Sequence, residues 1–162
     1  MNSAFSNNKR VIISDQPLDL TELNQMVQVN QGESGASVIF TGNVRVSESE
    51  QGLTGMTLEH YPGMTESLLD EILAEATKRW QLTRVLVVHR VGHLTAGEPI
   101  VFVGSCALHR KEAFEAAEFI MDYLKNRATF WKKEHYSKSG VIQDVWVESK
   151  QSDSDSLKKW MV

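Results

Sequence analysis

The sequence predicts a single α+β domain in which a mixed or antiparallel sheet is covered by helices. Three observations favour this class. At 162 residues the chain has the size of one ordinary domain. Its strand and helix patterns follow the order β-α-β-β-α-β-β-α-β, which combines hairpins with helices. It also lacks the glycine fingerprint of a dinucleotide-binding, doubly wound sheet. We assign residues 1–10 to a disordered N-terminal segment, 11–150 to the α+β domain and 151–162 to a polar C-terminal tail.

Three strands and two helices are predicted for the first half of the chain. Leucines and other apolar residues recur at steps of three and four from Leu20 to Val27, where Asp19 or Thr21 could cap a helix that ends by Gly32. A polar, mobile loop is expected over Val46–Gly52. The other elements are strands at Val11–Ile13, Ala36–Phe40 and Met56–Tyr61, and a helix at Met64–Trp80.

The second half predicts a strand pair, a long helix and a final strand. Arg84–Val91 and Pro99–Cys106 are rich in β-branched residues and are joined by the hairpin-like connection Gly92–Gly97. Helical spacing of apolar residues predicts a third helix from Arg110 to about Glu134. Val145–Val147 forms the final predicted strand, and the segment after it is too polar to pack alone.

Composition excludes several classes of function. The chain is 41% hydrophobic and 23% charged, and no run approaches the roughly 18 apolar residues of a membrane helix. Its first residues lack the apolar core of a signal peptide, and its single cysteine, Cys106, fits a reducing compartment. A net charge of −4 disfavours broad nucleic-acid binding. We therefore expect a cytoplasmic protein without membrane or nucleic-acid partners, in which any anion site is local.

The first candidate site is the pair Lys125 and Lys132. Seven residues make almost two helical turns, so on a helix the two side chains would project from nearly the same face, on either side of Thr129. Both border an apolar stripe, and partial burial there would suit either lysine to proton transfer. The alternative is that both are ordinary solvated lysines whose aliphatic stems cover apolar surface.

Two further candidate groups could bind an anion. His109 and Arg110 precede the predicted third helix, where their side chains would join the free backbone N–H groups of a helix N-terminus. Arg45 follows a Thr-Gly turn at a strand end, a common position for binding residues. The alternative for each is a solvent-facing loop side chain.

No metal site or cofactor is predicted. His89 and His93 are four residues apart but lie on a strand and its turn, so they cannot form the one-face pair of a helical zinc motif. Cys106 stands among small and apolar residues and is interpreted as a buried packing residue rather than a nucleophile.

Four ordered blocks of sequence resemble the large, catalytic subunit of molybdopterin synthase, a family likeness that extends from Val11 to Trp160. The fourth block is the most specific and covers the lysine pair. The blocks are Val38–Arg45, Leu58–Glu66, His89–Gly92 with Gly97-Glu98, and the segments of Ala107–Glu134 that contain ALHR, FEA, FIMDYLK and FWKKE.

The resemblance implies an α/β-hammerhead-like fold and an enzyme of molybdenum cofactor biosynthesis. Such an enzyme is a sulfurtransferase that converts cyclic pyranopterin monophosphate (precursor Z) to molybdopterin. It inserts two sulfurs that arrive as a thiocarboxylate on the C-terminal glycine of a small ubiquitin-like sulfur-carrier subunit. The resemblance also implies a homodimer of large subunits within a heterotetramer, so these partners are expected here.

The resemblance implies site residues as well. It makes Lys125 and Lys132 catalytic. We hypothesise that Lys125 is the general acid/base or covalent partner and that Lys132 holds the sulfur-bearing tail and the developing anion; the opposite division stays open. This chain departs from the family at Asn43, where relatives commonly have lysine, and in a longer loop at His135–Asp144. The implied substrate-binding set is Asn43, Val44, Arg45, His109, Arg110, Lys125, Lys132, Lys133 and Glu134, with Phe40 and Lys150 as further candidates.

Two other functions remain open on the residues alone. A non-enzymatic module could use His109 and Arg110 to hold a nucleotide or phosphorylated metabolite, which predicts binding without turnover. A scaffold could use its basic helix to dock an acidic protein, with Lys125 and Lys132 as interface charges. Neither alternative requires the strand and turn residues of the four blocks, so the sequence favours the synthase.

Overall fold

The computed structural model of the chain describes residues 10–28, 32–45, 52–148 and 151–161. Among them, no helix is long and apolar enough to cross a membrane. The predicted segment 1–10 and loop Val46–Gly52 lie almost wholly outside the described residues. The elements are β1 (Val11–Ser14), α1 (Leu20–Val27), β2 (Ala36–Asn43), β3 (Leu53–His60), α2 (Met64–Trp80), β4 (Arg84–Arg90), β5 (Gly92–Thr95), β6 (Pro99–Ala107), α3 (Arg110–Arg127), β7 (Phe130–Lys138), β8 (Val141–Val147), α4 (Gln151–Ser156) and a 3₁₀ turn (Leu157–Trp160).

The strands form two four-stranded sheets, which confirms the α+β class with mixed and antiparallel pairing. The first sheet has the order β1-β4-β6-β2, with β1 parallel to β4 and the other pairs antiparallel. The second sheet, β5-β3-β7-β8, is antiparallel throughout. The sequence predicted one sheet because strand pattern alone does not say which strands are neighbours.

The segment Gly92–Gly97 connects the two sheets. β4 and β6 pair antiparallel, as predicted for the strands on either side of it. Within the connection, however, Gly92–Thr95 forms β5 and pairs with β3 of the second sheet. Arg90 at the end of β4 is buried and its guanidinium binds Glu98 Oε1 at 3.2 Å and the His93 carbonyl at 3.2 Å. These contacts fix the second sheet against the first.

Helices cover both faces of the first sheet because its central strands have apolar side chains on both faces, with successive residues pointing to opposite sides. Val103 on β6 packs towards α2 and α3, where Leu73 and Phe119 are fully buried. Phe102, the residue before it, packs towards α1 against Val27. Two-residue alternation therefore builds two cores from one strand.

Each of the first two helices has a capped N-terminus, and for α1 the cap is the predicted Asp19. Asp19 caps α1, because its Oδ1 accepts hydrogen bonds from the backbone N–H groups of Thr21 at 2.9 Å and Glu22 at 3.1 Å. At the start of α2, the Glu66 carboxylate accepts from the Gly63 N–H at 2.7 Å. The predicted bounds of α2 are confirmed.

The third helix is shorter than predicted, and this correction matters for the site. α3 ends at Arg127, and Ala128 adopts an extended conformation with φ −68° and ψ 132°. The chain then enters β7, which pairs with β3 on one side and β8 on the other. Pairing between strands overrides the helical spacing of the apolar residues up to Trp131. Lys132 therefore lies on a strand and not on the helix of Lys125.

The C-terminal segment packs on the domain through two apolar residues. Leu157 is buried in the core under α2 and α3. Trp160 lies edge-on to the rings of Trp80 and Phe119, and its Nε1 donates to Asp122 Oδ2 at 2.7 Å. The segment was predicted as a polar tail, and it does not pack alone; it is held by these contacts. The final strand is also longer than predicted, since β8 begins at Val141.

Candidate active site

A cavity of about 430 Å³ lies between the two sheets, beside the C-terminal half of α3. Six elements contribute to it. Its lining residues are Phe40, Gly42 and Asn43 of β2, the following Val44 and Arg45, Met56 and Leu58 of β3, His89 of β4, Ile100 and Val101 of β6, Met121, Leu124 and Lys125 of α3, the following Ala128, and Phe130, Lys132 and Glu134 of β7. This volume suits a small organic molecule.

The cavity combines an apolar floor with three cationic side chains and one carboxylate. Arg45, Lys125 and Lys132 supply the positive charge, and Glu134 supplies the negative charge. Lys125 is exposed on the last turn of α3. Since most of the remaining lining is apolar, charge pairs inside it are screened less than in water. The arrangement suits an anion that also has a flat or apolar part.

Lys132 and Glu134 are two residues apart on β7, so their side chains lie on the same face of the strand, and that face borders the cavity. The Lys132 ammonium lies 2.8 Å from Glu134 Oε1, and the Glu134 side chain is only 10% exposed. Alternation sends Lys133 to the opposite face of the sheet. There its ammonium lies over the ring of Trp146, 4.8 Å from the ring centroid. Lys133 therefore does not line this cavity in the single chain, and its predicted role in substrate binding stays a prediction.

The end of β2 positions the three consecutive candidates Asn43, Val44 and Arg45. The register with β6 shifts between Gly42 and Asn43, which re-aims the side chains beyond it. Both backbone polar groups of Val44 are hydrogen-bonded. Its N–H donates to the Glu98 carbonyl at 2.9 Å, and its carbonyl accepts from the Gly97 N–H at 2.8 Å. With Val44 buried, Arg45 is held at the edge of the cavity.

His89 and Phe130 form a stacked pair in the cavity wall that the sequence did not predict as part of a site. Their ring centroids are 3.9 Å apart and the planes are inclined by 18°. Burial lowers the pKa of His89 to about 4, against a smaller opposing effect of the bond between its Nδ1 and the Arg90 carbonyl. His89 is thus neutral near pH 7, and its Nδ1–H donates to that carbonyl. Its position beside Phe130 became visible only once β7 was placed.

His109 and Arg110 do not line this cavity in the single chain. Both are exposed at the start of α3 and border separate hollows beside Leu108 and Glu112. Fifteen residues of helix separate Arg110 from Lys125, a distance of about 22 Å along the axis. A pocket shared by His109, Arg110 and the two lysines was predicted. Within one chain, the cavity contains the lysines but neither His109 nor Arg110. Lys150 lies outside the described residues.

The fold and the cavity define the class of the protein: an α+β domain with a cavity whose lining includes three cationic side chains. Comparison with known proteins narrows this class. The family model described as MoaE protein matches residues 13–127. The molybdopterin synthase catalytic subunit of Yersinia pestis is 56% identical over 128 residues, which cover 79% of this chain and 82% of the relative. That of Escherichia coli K12 is 46% identical over 151 residues, covering 93% and 97%.

Solved structures agree with this assignment. The MoaE protein of Burkholderia ambifaria superimposes with a TM-score of 0.78 at 39% identity and covers 94% of this chain and 97% of its own. Molybdopterin synthase from Staphylococcus aureus has a TM-score of 0.78 at 29% identity and covers 86% and 98%. The chain belongs to the MoaE family.

Proposed function

We propose that this chain is the catalytic subunit of a molybdopterin synthase, acting in molybdenum cofactor biosynthesis. The observation that carries the proposal is that Arg45, Lys125 and Lys132 line one and the same cavity. The relatives reported above, which are 46% and 56% identical to this chain over the aligned residues, are named as catalytic subunits of this enzyme. The substrate is cyclic pyranopterin monophosphate, and the product is molybdopterin.

The cavity matches both parts of such a substrate. A pterin is flat and partly apolar, and the stacked rings of His89 and Phe130 offer it a wall of that character. Its phosphate is an anion, and the planar guanidinium of Arg45 can bind phosphate oxygens through two parallel hydrogen bonds. Asn43, beside Arg45, adds amide donors where relatives commonly have a charged lysine.

Sulfur transfer develops negative charge that the two lysines can stabilise. Attack of the incoming thiocarboxylate sulfur on a side-chain carbon of the pterin expels a phosphate ester oxygen. Cations fixed in advance near that oxygen lower the barrier, because they need no reorganisation during the reaction. Lys125 and Lys132 flank the cavity and are the two catalytic residues of the proposal.

The surroundings of the lysines favour a division of labour. Lys132 is paired with the Glu134 carboxylate at 2.8 Å, which holds it as a fixed cation. Across the described residues, Lys125 has no carboxylate partner within ion-pair distance. We therefore assign proton transfer or covalent bonding to Lys125, and stabilisation of the sulfur-bearing tail and the developing anion to Lys132. The opposite division predicts that loss of Lys132 would abolish proton transfer.

A partner must deliver the sulfur, because the only cysteine of this sequence, Cys106, is buried away from the cavity. The partner of the proposal is a small ubiquitin-like subunit that carries a thiocarboxylate on its C-terminal glycine. Such a tail would enter the cavity, whose lining includes the cations Arg45, Lys125 and Lys132. The assembly is cytoplasmic and contains two large and two small subunits.

The dimer of large subunits would also explain the separation of His109 and Arg110 from the cavity. These residues belong to the substrate-binding set that the family likeness implies, yet one chain holds Arg110 about 22 Å from Lys125 along α3. Both are exposed and available to a neighbouring molecule. We assign them to the cavity of the second large subunit, where they would add positive charge around the phosphate.

A reconstituted reaction tests the proposed function. The purified chain is mixed with thiocarboxylated small subunit and cyclic pyranopterin monophosphate, and dithiolene-containing molybdopterin is measured. We expect product only when all three components are present. Substrate binding without product would instead favour a non-enzymatic binding module, and docking of the small subunit without pterin binding would favour a scaffold. Either outcome, with authentic partner and substrate, overturns the proposal.

A further inference from the structure

Three polar side chains alternate along the cavity side of β7. Lys132, Glu134 and Tyr136 are each two residues apart, so they project from the same face of the strand. The Lys132 ammonium contacts Glu134 Oε1 at 2.8 Å, and the Tyr136 hydroxyl donates to Glu134 Oε2 at 2.6 Å. Each oxygen of one carboxylate thus has its own donor.

Burial makes this arrangement more than a surface ion pair. Glu134 as a whole residue is 8% exposed. Its neighbours on the adjacent strands are Met56 on β3 and Val145 on β8, which are both apolar. A carboxylate in such surroundings has a high cost unless donors satisfy it. A neutral hydroxyl on one oxygen and an ammonium on the other also fix the rotation of the carboxylate plane. The Lys132 side chain has a flexible four-carbon stem, so an oriented acceptor determines where its charge lies.

We propose that Tyr136 is a positioning residue for the site. Its hydroxyl orients the Glu134 carboxylate, and the carboxylate holds the Lys132 ammonium at the cavity wall. Tyr136 does not line the cavity and does not contact substrate. It lies in the His135–Asp144 segment, next to the strand residues that line the cavity. The effect on turnover rests on the proposed function.

Removing one oxygen atom tests the first link. Tyr136→Phe keeps the ring and deletes the donor, and we expect kcat to fall about tenfold, the equivalent of one hydrogen bond to a charged group. KM for the pterin should change less than about twofold, since the interaction is made with the developing anion and not with the bound ground state. Tyr61→Phe, at an exposed tyrosine before α2, is the matched control and should retain wild-type kinetics.

Coupling between substitutions tests whether Tyr136 acts through Glu134. In Glu134→Gln, the link to the Lys132 ammonium is already lost, so adding Tyr136→Phe should cause no further decrease in kcat. Independent effects that multiply in the double variant would overturn the proposal. Unchanged kcat in Tyr136→Phe would overturn it as well.

A measurement that needs no turnover separates this proposal from the proposed function. Acetylation of Lys132 by an N-hydroxysuccinimide ester is followed by peptide mass spectrometry, with Lys78 of the same sample as internal reference. An ammonium released from Glu134 should be acetylated about tenfold faster in Tyr136→Phe than in the wild type. Equal rates would contradict the positioning role, whether or not the chain makes molybdopterin. Failure of the wild-type chain in the reconstituted reaction would contradict only the proposed function.

Discussion

Replacing Lys125 with alanine is expected to lower kcat for molybdopterin formation by about 10²- to 10⁴-fold, the usual contribution of a positioned acid or base. The side chain is exposed to the cavity on the last turn of α3, and its removal leaves the packing of Leu124 and Tyr123 in the core intact. The decrease should therefore occur without loss of folding. Turnover with thiocarboxylated small subunit in excess measures it.

A matched lysine on another helix gives the control for this experiment. Lys78 is exposed on α2 and does not line the cavity, so Lys78→Ala should retain wild-type turnover within about twofold. Urea denaturation of both variants would establish that they are equally folded. Near-normal kcat for Lys125→Ala would show that the assignment of proton transfer or covalent bonding to Lys125 is wrong.

The second large effect is a loss of stability in acid that originates at His89. Burial, with a smaller contribution from the nearby His60 side chain, lowers its pKa from 6.5 in the unfolded chain to about 4 in the folded chain. As the pH falls below 6.5, the unfolded chain takes up a proton that the folded chain does not. The contribution of His89 is present above pH 6.5 and lost towards pH 4, where the free energy of unfolding is smaller by about 3 kcal/mol.

Urea denaturation from pH 7 to pH 4.5, at constant protein concentration, measures this loss. The concentration must be fixed because the proposed association of large subunits would add its own stabilisation. His89→Gln should be less stable at pH 7, since it loses the stacking with Phe130, but its free energy of unfolding should depend less on pH in this range. His93→Gln, at an exposed histidine, should keep the wild-type pH dependence. Equal pH dependence in His89→Gln and the wild type would contradict the role of His89.

Local sequence signals predicted most of the elements of this fold. The periodicity and the cap at Asp19 gave α1, and Met64–Trp80 was predicted with the bounds that α2 has. The exception that matters most for the site was the segment after Arg127, where apolar spacing continues through Ala128 to Trp131 although the backbone becomes extended. Helical spacing cannot distinguish a longer helix from a strand whose pairing partner, here β3, lies 70 or more residues earlier in the chain.

The sequence predicted some of the residues that line the cavity, among them Arg45, Lys125 and Lys132, but not the geometry that brings them together. Lys125 and Lys132 were expected to share a cavity wall because they share a helix face; they share it because a helix end and a strand converge there. The family resemblance also implied Lys133 as a substrate-binding residue, but strand alternation turns its side chain away from this cavity. The stacking of His89 on Phe130 depends on contact between the two sheets, for which no local pattern exists.

The position of bound substrate tests the central claim, that the cavity between the two sheets is the active site. A crystal structure of the chain with cyclic pyranopterin monophosphate measures it directly. We expect the pterin between His89 and Leu58, with phosphate oxygens in hydrogen-bond distance of Arg45 and with Lys125 and Lys132 at the reacting side chain. A pterin bound to His109 and Arg110 of its own chain, with the cavity empty, would contradict the account.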